Sequence, residues 1–231
     1  MPLSRAGQAA IFDLDGVLAS TSALHLISWR QAANAFGIEP DEAALAATRS
    51  VGRALALQRL LHSAGVQLTE AHKQALMQLK NRRYLELIEA LSPADALPGA
   101  RAALERCRAL GLRIGVASAS LNAPLVLTRL QFSALIDWVV DPRTLQRPKP
   151  DAQAYLAACA ALAIPPARAI GLEDSPEAAA NLVRAGLYGI GVGAKSAQLA
   201  GAGCSECIDT LAHWCVDASV ARLRAHALNP D

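Results

Sequence analysis

The sequence predicts an α/β protein: a parallel sheet core interrupted near its start by an insertion made of helices alone. Three observations carry that prediction. Short apolar runs recur and each ends in a polar residue; helical patterns lie between them; and this alternation is suspended from about residue 20 to residue 95. Strands buried on both faces of a parallel sheet read as short, continuous apolar runs bounded by turn signals.

The strands come in order. Ala9-Ala10-Ile11-Phe12 stops at Asp13, Leu112 to Ala117 stops at Ser118, and Trp138-Val139-Val140 stops at Asp141. Ala169-Ile170-Gly171-Leu172 stops at Glu173-Asp174, and a glycine-rich run follows from Leu187 to Val192. Between them, Ala100, Ala103, Leu104 and Cys107 keep the i, i+3, i+4, i+7 spacing of a helix, and Gly111 supplies its stop. Ser175-Pro176-Glu177 has the form of an N-cap, a proline at the first helical position and an early acid; Gly186 closes that helix. Strands alternating with helices give a Rossmann-like parallel sheet core.

In the insertion, Tyr84, Leu87, Ile88 and Leu91 make an apolar stripe and Gln58 to Leu61 is helix-like, while Pro93 and Pro98-Gly99 punctuate the return. The expected organisation is a core from residues 1–19 and 96–231 with an all-helical cap domain inserted over 20–95.

Composition excludes several classes. The 231 residues are 53% hydrophobic but only 4% aromatic, so small and aliphatic side chains must fill the core. The net charge of +2 is spread, with no basic run suited to nucleic acid. The best uncharged stretch, Ala154 to Ala167, is too short to span a bilayer and holds Pro165 and Pro166. Asp13 and Asp15 come too early for a signal peptide, and five cysteines, an odd number, argue against a disulfide framework. A reducing cytoplasm is the expected location.

Asp13-Leu14-Asp15-Gly16-Val17 carries the central chemical signal. Two aspartates directly after a strand sit where an α/β sheet presents its ligands. Period two points both side chains the same way if the strand continues, and Gly16 permits a tight turn. One carboxylate can attack phosphorus and form an aspartyl phosphate. The other can move the proton of the leaving or attacking oxygen. A solvated strand-end turn is the bland alternative. Glu173-Asp174 ends a strand expected to lie beside Asp13, and three carboxylates gathered there need a cation, for which Mg²⁺ is suited. Ser118 and nearby backbone N–H groups can hold phosphate oxygens, against a plain helix-cap role. Lys149, fixed between Pro148 and Pro150, can balance phosphoryl charge, against a role as a solvated lysine.

In this order and spacing, the aspartate pair, Ser118, Lys149 and Glu173-Asp174 resemble the four-motif signature of the haloacid dehalogenase-like superfamily. Over roughly residues 10–193 the likeness narrows. Phe12 to Val17, Leu91-Ser92-Pro93-Ala94-Asp95, Val116 to Ser120 and Ile170 to Ser175 are similar to the β-phosphoglucomutases. The resemblance implies Asp13, Asp15, Ser118 and Lys149 as catalytic residues and Asp13, Asp15, Glu173 and Asp174 as the Mg²⁺ set. It places substrate contacts at Thr21, His25, Trp29, Arg49, Ser50, Val51, Arg53, Lys80, Ala119, Ser120 and Asn122. The substrates implied are β-glucose 1-phosphate and glucose 1,6-bisphosphate, handled by a monomer without nucleic acid or membrane. A sugar-phosphate phosphatase with the same nucleophile is the alternative. Arg49 and Ser50 stand where that family usually has lysine and glycine. Leu121 replaces a lysine, and Ser20 an aspartate. These departures bear on the choice of sugar and on mutase against phosphatase.

Other features read as structural. Cys204-Ser205-Glu206-Cys207, near His213 and Cys215, lacks the second pair a zinc site needs. Cys107 and Cys159 are expected in the core, His62 and His72 on the surface, and the tail from Asn229 is expected to fray.

Overall fold

The protein is described here by a computed structural model covering residues 7–228; the tail from Asn229 lies outside the described residues. Six strands form one parallel sheet: β1 (Ala9–Phe12), β2 (Arg113–Val116), β3 (Trp138–Val139), β4 (Ala169–Glu173), β5 (Tyr188–Val192) and β6 (Glu206–Ile208), in the order β3-β2-β1-β4-β5-β6. The order reverses between β1 and β4, and such a switch point opens a crevice at the carboxyl ends of the strands. Register decides what meets there. Phe12 lies level with Val116 on one side and Leu172 on the other. The ladder runs one step further: the Asp13 N–H donates to Leu172 O and the Ala117 N–H to Phe12 O, both at 2.9 Å. Asp13, Ala117 and Glu173 therefore end level.

Four helices precede the return to the sheet: α1 (Ser22–Asn34), α2 (Glu42–Ala46), α3 (Arg53–Ser63) and α4 (Glu70–Ile88). The remainder are α5 (Ala100–Ala109), α6 (Ala123–Arg129), α7 (Gln153–Ala161), α8 (Pro176–Arg184), α9 (Ser196–Gly201) and α10 (Val216–Leu228). Alternation along the strands sorts the core. Ala10, Phe12, Ile114, Val116, Ile170 and Leu172 pack with α5, α6 and α10; Ala9, Ile11 and Ala169 pack with α7 and with Leu182 of α8. Cys107 and Cys159 are buried as expected, and all five cysteines are free. His62 and His72 are exposed. None of the described helices is long and apolar enough to cross a membrane.

The helical cap has a core of its own around Trp29, Ala32, Leu45, Leu57, Leu60 and Leu76, whereas Tyr84 and Ile88 of α4 join the core of the sheet. The two chain crossings run side by side: Ala19 pairs antiparallel with Ala96, and the Leu97 N–H donates to Leu18 O at 3.0 Å. Just beyond, Gly99 takes φ +82°, and a Cβ there would lie 2.1 Å from Ala212 N. Only glycine fits, so the return is pinned to the loop before α10.

Two features depart from the sequence pattern. Glu206-Cys207-Ile208 forms a sixth strand that no apolar run announces, because three partly exposed residues at a sheet edge need no continuous apolar stretch. Trp138 is 47% exposed, since β3 is the opposite edge and leaves one flank unpaired.

Candidate active site

The strand ends bring Asp13, Lys149 and Glu173 into one buried corner. Lys149 donates to Asp13 Oδ1 at 2.8 Å, to Glu173 Oε2 at 2.6 Å and to Ala117 O at 3.1 Å, which engages all three of its protons. Burial opposes the ammonium charge, but Asp13 and Glu173 outweigh it and raise Lys149 above the ordinary lysine range. Burial also drives the Asp13 carboxyl well upward; Lys149 pulls it back, and Glu173, Asp174 and Asp15 push it up again. A nucleophilic carboxylate here needs more positive charge than one lysine gives.

Glu173 is the most constrained acid. Its Oε2 also accepts from the Tyr155 hydroxyl at 2.8 Å, and its Oε1 accepts from the backbone N–H groups of Asp174 at 3.2 Å and Ser175 at 3.1 Å. Tyr155 carries no motif; on the sequence it is one more apolar position of an alanine-rich helix. Asp174 differs: its Oδ1 is buried without a hydrogen-bond partner, and its carboxyl is raised, first by burial and then by Glu173. Oxygens of Asp13, Glu173 and Asp174 lie within 4.8 Å of one another. An all-oxygen set with one buried acceptor unsatisfied fits a hard divalent cation. Gly16 makes room for the Asp174 carboxylate: at φ +100° a Cβ there would lie 2.4 Å from Asp174 Oδ2.

Asp15 turns away from that cluster. β1 ends at Phe12, and the N–H groups of Leu18 and Ala19 fold back onto Leu14 O. The expectation that both aspartates point the same way fails because the strand does not continue, and of the four acids expected around a metal only three bring their carboxylates together. Asp15 Oδ1 instead accepts from the Thr21 hydroxyl at 2.5 Å and lies 3.4 Å from His25 Nε2. Thr21 stands at the N-cap of α1 yet caps nothing, its hydroxyl being given to Asp15. Lys80 Nζ is 2.7 Å from His25 Nδ1; with the amine donating, the imidazole proton sits on Nε2, towards Asp15. His25 also stacks on Tyr84 at 4.0 Å. Burial opposes ionisation of Asp15, but His25, Thr21 and Lys80 outweigh it and bring the carboxyl to about 2. Burial, with Arg53, pulls Lys80 down to about 7.

A cavity opens from Asp15 between cap and core. His25, Trp29, Arg49, Ser50, Val51, Arg53, Lys80, Ala119 and Ser120 line it, as does the departure Leu121. Thr21 and Ser118 stand behind the wall rather than on it, both fully buried; the Ser118 hydroxyl accepts from Ser120 N at 3.0 Å. Asn122 reaches the cap through Asn81, whose Oδ1 accepts from Asn122 Nδ2 at 3.0 Å and from Arg53 Nη2 at 2.7 Å. The cap loop rests on the core: Gly52 N donates to Lys149 O at 3.3 Å.

Comparison with known proteins agrees with this geometry. The family model of haloacid dehalogenase-like hydrolases matches residues 8–186. The β-phosphoglucomutase of Bacillus subtilis is 37% identical over 188 residues, covering 80% of this chain and 83% of the relative. A phosphorylated carbohydrates phosphatase of Thermotoga maritima is 26% identical over 189 residues, covering 79% and 85%. The crystal structure of β-phosphoglucomutase from Clostridium difficile superposes with a TM-score of 0.90 at 27% identity, covering 96% of this chain and all of that one. Sheet order, the buried Asp13–Lys149–Glu173 corner and the matched span agree: the chain belongs to the haloacid dehalogenase-like hydrolase family.

Proposed function

We propose that this chain is a magnesium-dependent β-phosphoglucomutase, with residues 1–19 and 96–231 as catalytic core and 20–95 as the cap that closes over the sugar. The observation that carries the reading is the single cavity lined by Asp15 together with Arg49, Arg53 and Lys80 of the cap. A sugar with a phosphate at each end suits such a space: one end meets the reacting groups and the other meets cations.

Phospho-Asp13 gives its phosphoryl group to a hydroxyl of the bound hexose phosphate, and ionised Asp15 takes that hydroxyl's proton. The bisphosphate turns over within the closed cavity. Asp13 then attacks the second phosphorus, and Asp15 returns its proton to the leaving oxygen. The positive charge of Lys149 offsets negative charge that builds on the phosphoryl oxygens, and the backbone N–H groups of Ser118 and Ala119 are the donors that face them. Mg²⁺ held by Asp13 and Asp174, with Glu173 behind, would offset repulsion between carboxylate and phosphate. The free cysteines accord with a reducing, cytoplasmic location.

The second reading is a sugar-phosphate phosphatase, favoured by the likeness to the Thermotoga maritima enzyme and by Leu121, which brings no charge to the cavity. One reaction separates them: β-glucose 1-phosphate with Mg²⁺ and a trace of glucose 1,6-bisphosphate, reading glucose 6-phosphate and free phosphate together. The mutase gives glucose 6-phosphate with little free phosphate, and chelation silences it. Arg53→Ala should raise free phosphate per turnover, because a poorly closed cap admits water. Free phosphate as the main product of the unaltered protein would sink the mutase in favour of the hydrolase.

A further inference from the structure

The cations on the cavity wall are unevenly distributed. Arg49, Arg53 and Lys80 all belong to the cap, and the loop after β2 presents an apolar Leu121, 41% exposed. Among the described residues one cation reaches the cavity from the core side: Arg143. It lies in the loop after β3, and β3 pairs with β2, so this loop stands beside the loop that carries Leu121.

Arg143 is held for a purpose its own contacts leave open. Asp141 caps a short turn over Pro142–Thr144 and accepts from the Arg143 backbone N–H at 3.0 Å. The same carboxylate takes Arg143 Nε at 3.0 Å and Nη2 at 2.6 Å. One edge of the guanidinium is thus anchored, while Nη1 has no hydrogen-bond partner among the described residues, and the side chain is 76% exposed. An anchored guanidinium with an open edge is suited to chelating a phosphate oxygen.

We propose that Arg143 is a specificity-determining residue that grips, from the core side, the phosphate remote from Asp13. Cations on the cap alone would carry that phosphate away whenever the cap moved. A cation fixed to the core holds it at a constant reach from Asp13 and Asp15, and so selects ligands with a second phosphate. This rests on the reading of the cavity as a site for a doubly phosphorylated sugar.

The test is direct binding in the presence of Mg²⁺, in an Asp13→Asn background that prevents turnover. Two probes are compared: glucose 1,6-bisphosphate, and phenyl phosphate, which has no remote group. Adding Arg143→Ala should weaken the bisphosphate roughly ten-fold, and Arg143→Lys roughly three-fold, as loss or weakening of one charge-assisted contact predicts. Phenyl phosphate should weaken by less than about two-fold, because it reaches only the reacting end. Equal weakening of both probes, no weakening of either, or a bisphosphate that binds the parent no better than phenyl phosphate would each overturn the proposal. Glucose 6-phosphate production by the unaltered enzyme is scored separately. A mutase whose bisphosphate affinity ignores Arg143 refutes the clamp alone. A hydrolase whose bisphosphate affinity depends on Arg143 refutes the mutase alone.

Discussion

The buried strand-end corner and the cap wall of the cavity that opens from Asp15 are built on opposite principles. In the corner, Lys149 is 1% exposed, and its ammonium, the Glu173 carboxylate and the Tyr155 hydroxyl all have partners. On the wall, Arg49 is exposed, Arg53 is shared with a single amide, and Ser50 sits in an unfavourable backbone conformation. The proposed phosphoryl transfer would account for the fixed corner, since it depends on position and charge that need no rearrangement at the moment of reaction. The wall is loosely held because a cap must let substrate in and hold it afterwards.

The comparison breaks most severely at the corner. Asp13→Asn should abolish turnover, by about three decades or more, since the amide cannot become an aspartyl phosphate. The fold should survive, because Lys149 keeps Glu173 and Ala117 O. Activity on an aryl phosphate together with a melting curve checks both halves; a tenth of the activity retained, free of deamidation, would remove Asp13 from its role.

Asp15→Asn comes next. With Asp15 as the proposed proton-transfer group, turnover should fall by roughly two to four decades. Binding should persist, and Thr21 and His25 should remain in place around the amide. Rates measured against a leaving group that needs no proton separate this from misfolding: a good aryl leaving group should lose far less than a sugar phosphate.

Lys80 links the two regions, and its effect should appear in stability against pH. Burial brings its ammonium from the ordinary lysine range down to about 7. Between that value and about 10.4 the unfolded chain binds the proton and the native chain does not, so this group makes stability rise with pH across the window. Below about 7 both states are protonated, and the burial penalty is present in full. Lys80→Met should therefore be more stable than the parent at pH 6, by on the order of a few kcal/mol, with the gap closing by pH 10. Denaturant midpoints at the two pH values read this; a gap that stays constant would show that Lys80 is not the titrating group.

Legibility in the sequence follows the same division. The corner could be read because each of its residues ends a strand or sits between prolines, so topology alone gathers Asp13, Ser118, Lys149 and Glu173-Asp174. Tyr155 could not, since a tyrosine on an alanine-rich helix looks like packing until its hydroxyl is found 2.8 Å from Glu173. Tyr84 was legible as part of an apolar stripe but not as the ring that stacks on His25. The turn of Asp15 towards the cap depended on where β1 stops, a matter of one or two residues that periodicity does not resolve. Arg143 has no motif at all; it counts only because β3 happens to neighbour β2.

The smallest effect tests whether the looseness of the wall is itself used. Ser50 holds φ +55° on the cavity, and Ala163 holds the same φ at an exposed position after α7, away from it. A side chain in this left-handed region costs about 1–2 kcal/mol, part of which glycine gives back through its freer unfolded state, leaving a net gain of up to about 1 kcal/mol for either replacement. Ser50→Gly and Ala163→Gly should thus raise the melting temperature by similar small amounts. Their kinetics should differ. Ala163→Gly should leave the KM for the sugar phosphate alone. Ser50→Gly adds backbone freedom beside Arg49 and Arg53 and should raise KM about two- to three-fold, with kcat held, since binding and not chemistry is touched. Matching kinetics in the two variants would mean that Ser50 is merely strained, and that the cap wall depends on its cations and not on the stiffness of the loop that carries them.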